Sequence, residues 1–300
     1  MKNALIKMHI AVFLWGFTGV LGKAISLQEF PLVWYRTGIT ALIFIAILFY
    51  RKEFIKVSRK ELLRFIGIGI IIAIHWVAFY GSIKYANASI ALTCLATAGI
   101  FTALLEPIMS KTKFNYKELM IGFIALVGMY NIYHFKANYA TGILLGVFAS
   151  ILSSVFTILN KKIVNNYPAR LVAFYEIGAG FLFLSLLMPI YLLFKPEISF
   201  TPIGYDWLWL LILSLCCTVW GQSLALSALK ILSSFTTVLM VNLEPVYGII
   251  LAMIIYNENK ELVPGFYLGI SLITLSVGLH TFLIWQGKRK KKSKYNLIGE

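Results

Sequence analysis

Charged side chains are scarce in this chain, acidic ones above all: 12 Asp and Glu stand beside 27 Lys and Arg in 300 residues, and 13% of positions are charged. A water-soluble fold of this length needs a far more polar surface, so an ordinary globular domain is excluded. The three cysteines, Cys94, Cys216 and Cys217, lie inside apolar runs without any CxxC or a nearby His, which excludes a disulfide framework and a thiolate metal site. Four histidines, His9, His75, His134 and His280, are spread over separate segments, and neither HExxH nor GxSxG occurs. No metal or cofactor is therefore expected, and an intramembrane enzyme is the weaker alternative. A nucleotide-binding loop is also missing, so any work done must draw on a gradient.

Apolar side chains fill the space the charges leave. They make up 60% of the residues, and the mean hydropathy is +0.83. The solvent for most of this surface must be lipid. A net charge of +15 does not indicate nucleic acid, because the basic residues sit between apolar runs instead of forming one basic face.

A hydrocarbon core of about 30 Å takes about 20 helical residues to cross, and ten runs of that length are bounded by charge, Pro or Asn. They cover about 4–24, 31–50, 64–83, 88–110, 117–135, 139–160, 170–194, 206–228, 232–255 and 263–286. The first follows Lys2 and Lys7 but ends without a small-x-small cleavage signal, so it reads as a retained helix. With both termini cytoplasmic, 21 of the 27 basic residues fall on inner segments, and the outer loops hold single lysines (Lys23, Lys84, Lys136, Lys195, Lys260). Ten spans in the inner or plasma membrane satisfy this alternation. Lys288 to Lys294 either reads anionic lipid or merely sets orientation.

The two halves repeat in order. Ser82 to Ser89 leads into an apolar helix as Ala228 to Ser234 does, placing Lys84 opposite Lys230 and, farther on, Gly122 opposite Gly269. Gly22 and Lys23 match Asn160 and Lys161, and Val33 to Gly38 matches Val172 to Gly178. Five helices per half is an odd number, so the copies enter the membrane from opposite faces. Inverted repeats of this kind build secondary transporters with a site near the midplane. The expectation is an all-α integral membrane fold of ten transmembrane helices in two inverted five-helix repeats, at about 5–135 and 139–286, with a basic cytoplasmic tail from about 287 to 300.

Ionisable groups inside a span are functional candidates by default. Glu244 stands about twelve residues into the ninth span, beside Pro245, which frees the Val241 carbonyl. A carboxylate at such a kink can bind an amine or take up a proton; alternatively it bonds a neighbouring helix. Thr237, Val241, Glu244, Tyr247 and Gly248 share a face, whereas Ala91, Cys94, Ala98 and Phe101 of the first half carry no charge. Arg36 either binds a substrate carboxylate, pairs with a glutamate, or snorkels to the outer interface. Glu176 is expected to snorkel or to pair with a cytoplasmic lysine, and Glu106 to be structural.

Trp15, Trp76, Tyr80 and Trp220 lie within spans, away from the interfaces where Trp gathers, and wall a cavity unless they face lipid. Gln222 and Asn242 either bond a solute or bridge helices, and His75 reads as a core histidine. Gly142 with Gly146, and Gly265 with Gly269, are GxxxG patterns that serve packing within one chain or a homodimer. Gly67, Gly69, Gly178 and Gly180 are candidate bending points.

Phe13 to Gly19, Pro31 to Arg36, Ala228 to Lys230, and Leu243 to Pro245 followed by Asn257 and Glu258 occur in an order and spacing that resemble the drug/metabolite transporter superfamily, specifically proteins with two tandem EamA-type domains. That resemblance spans about residues 5–285 and implies a ten-helix inverted repeat around a central cavity, exporting amino acids or other small metabolites by alternating access. The family's fourth helix commonly has a proline where this chain has Gly99, and Glu106 with Pro107 lies about two turns later, so no residue role is carried over there. The remaining alternative is a membrane scaffold or receptor.

Overall fold

The computed structural model describes residues 1–132 and 139–256, with scattered helical residues between 265 and 282. Lys136, Lys260, His134, His280, Asn257, Glu258, half of the tenth span and the tail lie outside the described residues. Among those described, regular structure is entirely helical. The helices are α1 (Lys2–Ala24), α2 (Glu29–Arg51), α3 (Arg59–Tyr85), α4 (Ala88–Leu95), α5 (Ala98–Ser110), α6 (Tyr116–Ile132), α7 (Ala140–Ile163), α8 (Ala169–Phe194), α9 (Asp206–Ile212), α10 (Gly221–Leu229), α11 (Ser234–Val241) and α12 (Glu244–Tyr256). A π-helical stretch, Leu213–Trp220, joins α9 to α10. Among the described residues, seven helical segments are long and apolar enough to cross a membrane.

Local chemistry sets several of these ends. Ser58 accepts from the Glu61 backbone N–H at 3.3 Å, a capping interaction that starts α3 after a polar turn. Asn87 caps α4 through the Ile90 N–H at 2.8 Å, and Ser233 caps α11 through the Thr236 N–H at 3.1 Å. Lys52 closes α2 in the left-handed region at φ 53.

Among the described residues two spans are broken, and broken alike. Each opens with a piece of 8 residues and resumes as a second helix two residues later: α4 then α5, and α11 then α12. In each, a lysine four residues before the first piece donates to a carbonyl of an earlier interhelical connection. Lys84 Nζ reaches Ile25 O at 2.8 Å, and Lys230 Nζ reaches Tyr167 O at 2.8 Å. The neighbourhoods are also exchanged between halves. α1 packs on α10 and α12, while α7 packs on α3, α4 and α5. Pro245 sits at the second break, but the first break has Gly99 there, so a proline is not what opens the helix.

Small residues permit the close crossings. A Cβ on Gly69 would run into the Glu176 carbonyl, so α3 and α8 touch backbone to backbone. Gly142 faces Ala86, and Gly146 faces Cys94 and Ser82, so the α7 GxxxG pattern is spent on contacts inside the chain and not on a second copy. Gly180 packs on Gly69 O and Ala73, which makes it and Gly69 contact points, not bending points.

Gly69→Ala should therefore lower stability by about 2 kcal/mol or more through overpacking, whereas Gly67→Ala, with nothing near the added methyl, should be neutral or gain up to about 1 kcal/mol of helix propensity. Thermal unfolding of the two variants in detergent checks the contrast.

Candidate functional site

Three helices turn one stripe each toward a common cavity, with the spacing i, i+3, i+4, i+7 that defines one helical face. α3 contributes Ile72, His75, Trp76 and Phe79; α7 contributes Ser153, Phe156, Thr157 and Asn160; α10 contributes Gln222, Ala225, Leu226 and Leu229. α1 adds Trp15 and Thr18, and Arg36, Leu95, Thr237, Val241 and Glu244 complete the wall. The volume open to the centre of a water-sized sphere is about 80 Å³, room for a few waters or one small metabolite. The cavity runs toward the ends of α7 and α10. At the other end Gly22 packs under Tyr80, where an added Cβ would lie 2.6 Å from the ring, and Ile83 is buried beside them.

Glu244 is the first residue of α12, a favourable place for an anion, and it is buried. Thr18 Oγ1 lies 3.1 Å from Glu244 Oε1 and 2.6 Å from Trp15 O; its single proton serves one of them at a time. Trp15 is fixed by its indole N–H, which donates to Cys217 O at 2.8 Å.

Arg36 does not snorkel; it is 2% exposed. Its Nε donates to Thr218 Oγ1 at 2.8 Å and Nη1 to Tyr80 Oη at 3.0 Å, while the guanidinium carbon stands 3.9 Å from the centroid of Trp76. Hydroxyls and a π-face hold it, and no carboxylate of the described residues does. Arg36 and Glu244 thus face one cavity with opposite charges and without pairing to each other. Leaving buried charges so costs several kcal/mol unless something answers them.

The other expected residues divide. Gln222 lines the cavity. Tyr80 is fully buried behind it and positions Arg36. Tyr247 is outside the lining, against Gly16 and edge-on to Phe13. Asn242 is buried at the break between α11 and α12, close to Gly99 and not part of the cavity lining, and its amide atoms have no partner among the described residues. Trp220 departs from the expectation: it is 53% exposed on the outside of the bundle. Gly221 lies against the Trp15 indole and Gln222 faces inward, so the residue two before Gln222, about 200° round the helix, points outward.

His75 faces the cavity too, its Nδ1–H donating to Ala149 O at 2.7 Å. Glu106 accepts from the Phe235 N–H at 3.2 Å, an anion at the N-terminus of α11. Glu176 neither snorkels nor meets a lysine; it is fully buried and bonded to Asn160. Thr18, Ser153, Thr157 and Asn160 were not singled out from sequence, although polar residues at 153, 157 and 160 on an apolar helix are themselves a stripe.

Two stretches, residues 2–133 and 140–290, match the EamA-like transporter family. The chain belongs to that family. An uncharacterised transporter of Archaeoglobus fulgidus is 25% identical over 268 residues, covering 85% of this chain and 88% of the relative. YxxF of Bacillus subtilis, also an uncharacterised transporter, is 22% identical over 311 residues, covering 100% of this chain and 94% of its own length. A solved crystal structure shares the fold at a TM-score of 0.72 and 16% identity, covering 94% of this chain and 98% of that one. The protein is accordingly a multi-pass, EamA-like membrane transporter handling a small solute, not an enzyme.

In a background lacking Cys94, Cys216 and Cys217, Thr157→Cys and Leu229→Cys of this EamA-like protein should react with a small charged thiol reagent added from the face where α7 and α10 end. Ile83→Cys should stay inert. Labelling counted by intact mass checks this.

Proposed function

We propose that the chain exports a small zwitterionic metabolite of amino-acid size by alternating access between two inverted five-helix repeats, residues 5–135 and 139–286. In this reading the face rich in Lys and Arg, with both termini and the 287–300 tail, is cytoplasmic, and export is driven by a proton moving the other way. The observation that carries the proposal is the unpaired couple of opposite charges in one cavity. Arg36, with its fork held by Thr218 and Tyr80, presents donors to a carboxylate. Glu244, held by Thr18, answers an ammonium group. Trp15, Trp76, Phe79 and Phe156 leave an apolar space for a side chain. The exchanged packing of the halves and the matched breaks in the α4–α5 and α11–α12 spans support inversion, and a cavity reaching toward the basic face supports loading from that side.

The test is flux in proteoliposomes carrying a mixed pool of amino acids and other metabolites. A charge-assisted hydrogen bond contributes about 1.5–3 kcal/mol, so Arg36→Lys and Glu244→Gln should each raise KM roughly 10- to 100-fold. Glu244→Gln should spare a substrate analogue whose amine is replaced by hydroxyl. Unchanged flux in both variants would move the site elsewhere, and absence of any flux under every gradient would sink the carrier reading.

A further inference from the structure

We infer that Glu176 and Asn160 form a proton site in the cavity wall, a carboxylic acid paired edge to edge with a carboxamide, separate from Glu244. Its part in coupling rests on the transporter reading above; its existence does not.

Glu176 is 0% and Asn160 1% exposed. Asn160 Nδ2 donates to Glu176 Oε2 at 3.3 Å. The two remaining oxygens, Glu176 Oε1 and Asn160 Oδ1, are both buried and both lack a partner among the described residues. With the carboxyl ionised, the pair holds acceptors that nothing serves and a charge that nothing balances. A proton on the carboxyl supplies the missing donor, because an acid O–H matches an amide oxygen as the amide N–H matches the acid.

Other ways of satisfying the carboxyl are taken. From α7, Lys161 Nζ goes to the carbonyls of Leu229 and Lys230 at 2.7 and 3.2 Å, and Lys162 to Met109 O. Lys230, after α10, goes to Tyr167 O. On α8 itself Arg170 pairs with Glu53 at 2.9 Å. Arg36 on α2 and His75 on α3 are held by Thr218, Tyr80 and Ala149. On the α3 side Gly69 lies against the Glu176 backbone carbonyl, so α3 offers the carboxyl no donor at that crossing. Two free oxygens are too few for a hard metal cation, which takes six or more.

The route in and out is the cavity, because Asn160 is part of its lining. Release hands the Oε1 proton to cavity water and leaves a carboxylate opposite the amide oxygen, so the pair parts. Asn160 lies in the last turn of α7, next to the Lys161 that ties α7 to the end of α10. Occupancy of this site is thereby linked to the packing of α7 on α10 at the cavity mouth, and Glu244 remains free to hold the solute.

Infrared difference spectroscopy of the full chain in lipid vesicles, with H/D exchange and no solute added, tests this directly. At pH 7 the carbonyl stretch of a protonated carboxylic acid is expected in the wild type and in Glu244→Gln. It should be lost in Glu176→Gln, which keeps the shape of the pair, and shifted in Asn160→Leu, where the acid survives without its amide. Should Glu176→Gln not fold, the shift in Asn160→Leu reads the same pair. A band missing at pH 7, unchanged in Glu176→Gln, or unmoved in Asn160→Leu overturns the proposal. Solute flux without the band would overturn the proton site alone, whereas the band without flux supports the site and counts only against transport.

Discussion

Inside lipid a backbone group that loses its helical partner has no water to turn to, and the two broken spans show how this chain meets that constraint. At the first break Thr97 N–H and Thr97 Oγ1 both reach Cys94 O, at 3.1 and 2.6 Å, and Ser154 Oγ and Thr102 Oγ1 serve Ala98 O at 2.9 and 2.8 Å. At the second, the Asn242 and Leu243 N–H groups turn to Leu239 and Met240 carbonyls at 3.1 and 3.0 Å. Without these local closures, the chain could not end a helix at Val241 and start another at Glu244. That interruption puts a carboxylate at a helix N-terminus in the middle of the molecule.

The same constraint sorts the charges. Lysines near the helix ends spend their donors on carbonyls, as Lys84 does on Ile25 and Lys230 on Tyr167. These bonds fasten interhelical connections to neighbouring helices and leave the centre free of ammonium groups. Within the cavity the charged groups are Arg36 and Glu244, each steadied by neutral hydroxyls. The zwitterion proposed above rests on that arrangement, a guanidinium and a carboxyl group facing the same space without pairing to each other. Around them Trp15, Trp76, Phe79 and Phe156 make part of the wall aromatic, and Ser153, Thr157, Asn160 and Gln222 make part of it polar.

Much of the fold was legible because lipid enforces simple rules. Apolar runs of span length, alternating with basic segments, require a helical membrane protein, and the matching lysines and glycines of the two halves pointed to a repeat. Glu244 and Arg36 stood out because an ionisable residue in an apolar run has few inexpensive explanations. Trp220 was ambiguous, since one tryptophan in a helix looks the same facing lipid or solute until the register of its neighbours is known. Glu176 was expected to snorkel or to meet a cytoplasmic lysine and does neither for a related reason: distance from a helix end says how far a side chain must reach, and not whether a neighbouring helix blocks the way.

What the sequence determined by itself was the membrane setting, the helical class and the presence of buried ionisable groups, because these depend on composition and on periodicity along one chain. Which stripes converge on a cavity, that Arg36 and Glu244 share it without pairing, and that Asn160 meets Glu176 were decided only by tertiary structure. These depend on helix rotation and on the depth at which two backbones cross, and small residues such as Gly69 and Gly146 set both through contacts far apart in the chain.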